Sequence, residues 1–534
     1  MKYARLVLSG TYAETAPQTR SLLNASSGPV FRFDHLLLRV EHILAHKEIG
    51  RVLVDQKLNF SVRLSGGLEA VRRQLERLTA AGKELFYYAR GYDSQELYLA
   101  SACAKRIVHP LGSLRFGGRS LSFLFYHRLL ENHAVDVTVV RRGRFKSAGD
   151  AYRIESLDDS NREQYEAVLD STMREMTEKI RSGFRREQTD IEELLGGKIL
   201  GVTQAVDLGW LDRSCSLDAL IGEWKKEKIG EAVLKRIGSS FGRGKRLVVL
   251  VFEGAIIDGE SRRDPALGQM VGSDSFIREV ERLTKNRRIK GVVLRINSPG
   301  GSATASEEIS SALARLAEKK PIVVSMGPVA GSGGYWLACA GERIYAERMT
   351  LTGSIGVISM LISARAGLER FGVTESTLRR GEFADLGSPF RPVQERDREI
   401  LDAQIDWIYQ SFLDRVAGSR KRSSEEIRQV AEGRVWSGSD AVEQGLVDAV
   451  GSLTEAIGYL KEKLRLKRAA VQFLPVVRYS LVQRFLMRNA AGSGVSLSYP
   501  STLAGGLAAL AGSLIVTSRG APLAIAPEAL VDPW

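Results

Sequence analysis

The first half of this chain recurs in the second, and that recurrence limits the fold more than any single motif. Tyr98-Leu-Ala-Ser-Ala-Cys-Ala-Lys-Arg-Ile107 is matched by Tyr335-Trp-Leu-Ala-Cys-Ala-Gly-Glu-Arg-Ile344, an offset of 335 − 98 = 237. Arg141-Arg-Gly-Arg-Phe145 is matched by Arg379-Arg-Gly-Glu-Phe383 at 379 − 141 = 238, and Ala205-Val-Asp-Leu-Gly-Trp-Leu-Asp212 by Ala441-Val-Glu-Gln-Gly-Leu-Val-Asp448 at 441 − 205 = 236. Offsets this constant from Tyr98 to Asp212 mark the duplication of a whole domain rather than a short solenoid unit. The opening run Arg5-Leu-Val-Leu-Ser-Gly10 likewise echoes Leu247-Val-Val-Leu-Val-Phe-Glu-Gly254.

Each copy alternates apolar runs of strand length with helical periodicity, so the expected class is α/β, two tandem domains built on parallel sheets with covering helices. In the second copy the order reads strand Leu247 to Val251, helix Asp274 to Lys285, strand Gly291 to Ile296, helix 305–318 and strand Ile322 to Met326. Further on, Leu401, Ile405, Ile408 and Phe412 recur at helical spacing and predict the apolar stripe of a long helix, core or interface. The copies occupy 1–237 and 246–465, and Gly238-Ser-Ser-Phe-Gly-Arg-Gly244 has the composition of a linker. Residues 466–534 lie past the repeat and turn basic, then Gly/Ala-rich. Within them Leu503 to Val516 is too short, and with three glycines too interrupted, to span a bilayer. This extension is expected to be partly disordered, to rest on the surface or to touch lipid, and the sequence leaves those three open.

Chemistry concentrates between Asn297 and Gly356. Asn297-Ser-Pro-Gly-Gly-Ser302 follows the strand and precedes the helix at 305–318, where Thr304 and Glu307 have capping-box spacing. Met326-Gly-Pro-Val-Ala-Gly-Ser-Gly-Gly-Tyr-Trp336 repeats the pattern, a strand, a glycine-rich turn and a short helix from about Gly333 that Gly341 can end. Leu351-Thr-Gly-Ser-Ile-Gly356 follows. Alone, Ser332 is an ordinary helix cap. Two glycine-rich turns on successive strand-helix units can together supply a nucleophile and outward-facing backbone N–H groups for a developing oxyanion, which points to acyl transfer.

Ser298-Pro-Gly-Gly301, Gly331-Ser-Gly-Gly-Tyr335 and Leu351-Thr-Gly-Ser-Ile-Gly356 resemble the signal peptide peptidase A family of Ser/Lys-dyad serine peptidases, in its long, two-half form. The resemblance covers about residues 1 to 465 and implies a ClpP/crotonase-like fold for each copy, with Ser332 as nucleophile. In single-domain relatives a lysine downstream of the serine serves as base, and that position here holds Ala384. Its repeat mate is Lys146, followed by Ser147, as in the N-terminal half of long members of the family. Conversely, the first-copy mate of Ser332 is Gln95, in Gly91-Tyr-Asp-Ser-Gln-Glu96. Each copy thus keeps one partner of the dyad, and one active site per chain is expected between them. Lys146 must be neutral to accept a proton, which requires burial to lower its pKa to roughly 7 to 8. Ser354 matches the family serine that orients the lysine amine. The oxyanion donors expected are the N–H groups of Gly301 and Gly333. All six histidines fall in the first copy and none sits in a turn motif, so a Ser-His-Asp triad is the weaker reading.

The remaining sequence narrows cofactors and partners. With 76 Lys+Arg against 63 Asp+Glu the net charge is +13, which favours anionic membranes or nucleic acid. Zinc-finger spacing and RNP-like aromatics are missing, so nucleic acid is not an expected partner. Neither CxxC nor HExxH occurs, and Cys103, Cys215 and Cys339 stand far apart, so no metal, cofactor or disulfide framework is expected. Without a Walker A sequence, ATP-independent action is expected. Tyr3 to Gly10 reads as a strand rather than a leader, and no apolar run is long enough for a transmembrane helix. Long members of the family usually carry an N-terminal anchor, and this sequence departs from that. The resemblance implies small apolar peptides such as cleaved signal peptides as substrates, a homo-oligomeric ring or bowl (a tetramer), and association with a bacterial inner membrane, here as a peripheral contact. Two other classes fit the glycine turns: a crotonase-type acyl-CoA enzyme, which would need neither Ser332 nor Lys146, and a non-catalytic membrane-associated scaffold.

Overall fold

Two parallel sheets carry the duplication. The computed structural model describes residues 1–15, 29–232, 234, 240–264, 268–474 and 523–525. Residues 238 and 239 of the linker and the stretch 503–516 lie outside the described residues. In the first copy the strands run, edge to edge, Arg213–Ser214, Lys105–Val108, Glu84–Ala89, Ile49–Gln56, Lys2–Leu8 and Gly230–Glu231, every neighbour parallel. In the second they run Ala449–Val450, Arg343–Ala346, Ile322–Gly331, Ile289–Ser298, Lys245–Glu253 and Ala469–Leu474, again all parallel. The orders are the same, and equivalent strands keep the sequence offset, as Lys105 and Arg343 do at 343 − 105 = 238. Ala469–Leu474, beyond residue 465, thus belongs to the second sheet beside Lys245–Glu253, and Ser240–Phe241 of the linker pairs antiparallel with its outer side.

The central strands are apolar on both faces, as helix-covered parallel strands must be. Leu247 through Phe252 are all buried, as are Val292, Val293 and Leu294. Helices Ser273–Lys285 and Ala303–Ala317 cover one face, with Ile309, Ala312, Leu313 and Leu316 buried. Helix Glu395–Arg420 buries the predicted Leu401, Ile405, Ile408 and Phe412. Among the described residues, no helix is long and apolar enough to cross a membrane.

The copies meet at several places. Strand Asp136–Arg142 leaves the first copy and pairs antiparallel with Val357–Ser363, from Arg142 opposite Val357 to Asp136 opposite Ser363. It becomes the edge of a third sheet, made otherwise of second-copy strands and Leu523–Ile525. Helix Asp159–Phe184 lies along Val435–Ser437, with the Ser171 hydroxyl donating to Ser437 Oγ at 2.8 Å. A buried ion pair joins them as well. Arg295, fully enclosed in strand Ile289–Ser298, donates to Glu14 Oε1 of the first copy (2.9 Å), Ser325 Oγ (2.9 Å) and the Met326 carbonyl (2.6 Å). Next to it, Glu253 accepts the backbone N–H groups of Glu14 and Thr15 at 2.8 and 3.3 Å. Burial, with the Glu14 charge nearby, pushes the Glu253 carboxyl up to about 7.

Removing one partner of a buried pair strands the other charge. Arg295→Met is therefore expected to lower the unfolding free energy by about 3–5 kcal/mol in urea denaturation. A loss below about 1 kcal/mol would show that the pair does not hold the copies together.

Candidate active site

The central strand Ile322–Gly331 ends at a sharp turn, and the residue at that turn is Ser332. Its backbone has φ +54° and ψ −118°, a conformation a residue with a Cβ adopts only under strain. The surroundings enforce it. Its N–H donates to the Gly353 carbonyl (2.8 Å) and its own carbonyl accepts the Trp336 N–H (2.9 Å), which starts helix Gly333–Ala338. That helix is anchored in turn by Tyr335, whose hydroxyl donates to the Leu446 carbonyl at 2.7 Å. Ser332 stands at the N-cap position, yet its side chain makes no capping bond. Its Oγ faces Lys146 instead.

Lys146 arrives from the other copy. The crossing strand ends at Arg142, and the loop that follows carries Lys146 into a fully enclosed position. Its Nζ lies 2.8 Å from Ser332 Oγ, 3.0 Å from Ser354 Oγ and 2.9 Å from the Ser354 carbonyl oxygen. Burial without a counter-charge lowers its pKa to about 7. A neutral amine has two N–H bonds and one lone pair. With both N–H groups on Ser354, the lone pair is left for the Ser332 hydroxyl proton. The pKa, the geometry and the two copies therefore converge on one pair of atoms. Ser354 is itself at φ +50°, and its N–H donates to the Arg434 carbonyl at 2.7 Å.

The first glycine turn abuts the second. A Cβ on Gly333 would stand 3.4 Å from Gly300 Cα and 2.6 Å from Ser306 Oγ. Gly301 has φ +153°, and a Cβ there would come within 2.1 Å of the Ile256 carbonyl oxygen, so only glycine fits. The Gly333 N–H belongs to the first helical turn, where the helix itself offers no acceptor. Gly300 donates its N–H to Ser298 Oγ at 3.2 Å. The cap of helix Ala303–Ala317 is Ser302, whose Oγ accepts the Ala305 N–H at 3.2 Å. The capping box expected from Thr304 and Glu307 does not form, because Glu307 lies too far into the helix to reach back. Its carboxylate instead accepts from Trp336 Nε1 (2.9 Å) and Arg415 (2.5 and 2.7 Å). Along the free edge of Gly300–Ser302 lies the backbone of Leu523–Ile525, antiparallel, with Ile525 opposite Gly300 and Ala524 opposite Gly301; Leu523 also pairs with Ile358.

The model of the family described as "Peptidase family S49" matches residues 77–229 and 314–467, together more than half of the chain. The chain belongs to peptidase family S49. "Serine protease SPPA, chloroplastic" of Arabidopsis thaliana is 28% identical over 413 residues, covering 74% of this S49 chain and 61% of that protein. "Protease 4" of Salmonella typhi is 28% identical over 447 residues, 79% of this chain and 70% of the relative. "Putative signal peptide peptidase SppA" of Enterococcus faecium is 32% identical over 229 residues, 42% of this chain and 66% of the relative. The chain thus spans less than two thirds of the Arabidopsis protein's length. Lys146 falls in the first S49 segment, Ser332 and Ser354 in the second, and Gly301 in neither.

The structure brings Ser332, Lys146, Ser354 and the Gly300–Gly333 contact together. It also places Gln164 and the turn Ala431–Arg434 against the lysine loop, which the sequence did not single out. A glutamine inside an amphipathic helix carries no motif, and a Glu-Gly-Arg turn reads as a surface loop.

If Ser332 is held in a strained conformation, glycine should relieve it. Ser332→Gly is expected to be more stable than Ser332→Ala by about 1 kcal/mol, the strain removed outweighing the added entropy of the unfolded chain. Thermal unfolding of the two variants checks this, and equal stability would mean the turn is relaxed.

Proposed function

We propose that this chain is a serine endopeptidase in which Ser332 is the nucleophile and Lys146 its general base. The observation that carries this is the 2.8 Å contact between Lys146 Nζ and Ser332 Oγ in a setting where burial keeps the amine near neutrality at pH 7. As Ser332 Oγ bonds to the peptide carbonyl carbon, its proton passes to Lys146 Nζ. The charge that develops on the carbonyl oxygen is held by the N–H groups of Gly333 and Gly301. Lys146 then gives its proton to the departing amine as the C–N bond breaks, leaving an ester on Ser332. A water molecule yields a proton to Lys146, attacks the ester, and the tetrahedral species collapses with return of the proton to Ser332. Ser354 holds the amine in register for both transfers.

The substrate class proposed is small, extended, apolar peptides, cleaved signal peptides among them, hydrolysed without ATP. The name of the Enterococcus relative supports this, as does the extended backbone of Leu523–Ile525 lying against Gly300–Ser302 in the manner of an added strand. A homo-oligomeric assembly with peripheral membrane contact belongs to the same proposal, supported by the net charge of +13 and by exposed Phe371, Leu378 and Trp407. A crotonase-type acyl-CoA enzyme or a scaffold has no use for a lysine amine buried on a strained serine.

The test is hydrolysis of an apolar fluorogenic peptide. Ser332→Ala and Lys146→Ala, each folded, are expected to lose about a thousandfold or more in kcat, because the pair acts as a unit. Wild-type kcat is expected to rise as pH passes upward through about 7, where Lys146 loses its proton, and to vanish below. An active Lys146→Ala protein would send the base to a first-copy histidine, and a wild type inert on all such peptides would return the chain to the scaffold or acyl-CoA class.

A further inference from the structure

We propose that the turn Ala431–Arg434, together with Gln164, is a positioning device that sets Lys146 against Ser332. This rests on the reading of Lys146 as the base. Glu432 and Gly433 meet the lysine loop backbone to backbone. The Phe145 N–H donates to the Glu432 carbonyl at 2.9 Å, and the Arg144 N–H to Glu432 Oε2 at 3.2 Å. A Cβ on Gly433 would lie 2.7 Å from both the N and the Cβ of Lys146. On the other side, a Cβ on Gly143 would lie 2.4 Å from the Glu432 carbonyl carbon. No side chain fits between these segments.

The same turn holds the acceptor of the amine. Gly433 donates its N–H to the Ile355 carbonyl (2.8 Å), and the Arg434 carbonyl accepts the Ser354 N–H (2.7 Å). One four-residue turn therefore fixes both the root of Lys146 and the residue that receives its tip. Gln164 closes the arrangement from helix Asp159–Phe184. Fully buried, it donates Nε2 to the Phe145 carbonyl (2.9 Å) and accepts the Val435 N–H on Oε1 (3.1 Å). The Arg434 guanidinium lies 4.8 Å from the Phe145 ring centroid and 4.5 Å from that of Trp436, and pairs with Glu163.

The duplication supplies an internal comparison. The repeat mate of Gly433 is Gly197, at 433 − 197 = 236, and both have left-handed backbones, φ +75° and φ +97°. Around Gly197 nothing lies within 4 Å, and the mate of Lys146, Ala384, is exposed. Turn closure alone accounts for a glycine in both copies. The close approach exists only where the lysine is.

Opening this contact would admit water to the amine. The charged and titratable groups around the lysine loop include Arg141, Arg142, Arg144 and Asp150 on its own segment, Glu432 and Arg434 on the turn, Asp158, Glu163 and Tyr165 at or on helix Asp159–Phe184, and Asp402, Asp406 and Tyr409 on helix Glu395–Arg420. Burial is what lowers Lys146, so its loss raises the pKa and moves the acid limb of kcat to higher pH. Gly433→Ala is expected to lower kcat at pH 7.5 about a hundredfold with KM within about twofold, and to shift that limb up by about one pH unit or more. Gln164→Met, which keeps volume and removes these two bonds along with the one Nε2 donates to Asn161 Oδ1 (2.7 Å), is expected to shift it in the same direction and serves if Gly433→Ala does not fold. Gly82→Ala, with φ +76° and no neighbour within 4 Å, imposes the same backbone strain and is expected to keep the wild-type profile. If Gly433→Ala and Gln164→Met lose stability or amplitude while the limb stays at its wild-type pH, the positioning role is overturned. The reading of the base is judged separately, by whether folded Lys146→Ala and Ser332→Ala proteins lose an activity that the wild type shows.

Discussion

A lysine amine enclosed without a counter-charge is the constraint around which this molecule is organised. An isolated buried ammonium costs several kcal/mol, and the usual escape is to give up the proton. Here the enclosing walls come from both copies, so the copies must dock closely for the amine to become neutral. The crossing strand Asp136–Arg142, the pair Arg295–Glu14 and helix Asp159–Phe184 on Val435–Ser437 all serve that docking. Several bonds between the copies are themselves enclosed, as with Arg295 and Gln164, which makes their geometry expensive to vary.

Strain gathers around the same atoms. Ser332, Ser354 and Glu432 all have positive φ without being glycine, and all three lie within one or two bonds of Lys146 or its loop. Each such conformation costs of order 1–3 kcal/mol and persists only where neighbours over-determine it. The apolar strands Lys245–Glu253 and Ile289–Ser298 beneath them supply that support, with burial on both faces and full ladders of hydrogen bonds.

Much of this was legible in the residues. The offset of 236 to 238 announced two equivalent sheets, and the strands around Leu247, Val292 and Val323 were plain from apolar runs. The absence of a lysine at Ala384 and of a serine at Gln95 pointed to partners shared between copies, and the structure sets Lys146 beside Ser332. What could not be read was how the shared contact is held. Gln164 sits in a helix whose pattern shows only amphipathicity, and Gly433 looks like any glycine after a helix until its neighbour is known. The cap at Ser302 rather than Thr304 was missed because Gly300–Gly301 has strand geometry, which moves the first helical residue to Ala303. The repeat also concealed an asymmetry. Arg141–Phe145 begins in an ordered strand and leads into a buried loop, whereas its mate Arg379–Phe383 lies in an exposed, irregular segment.

Placing Lys146 and Ser332 186 residues apart in the chain has a consequence for synthesis. A ribosome releases the amine-bearing copy first, while the serine has not yet been made. The serine follows, but Ser354 and the Glu432–Arg434 turn, which receive and root the amine, come later still. A chain interrupted between Ser332 and Arg434 would hold both residues without the turn that sets one against the other, and one interrupted before Ser332 would hold the lysine alone. On the function proposed above, the order of synthesis itself withholds activity until the second copy is nearly complete.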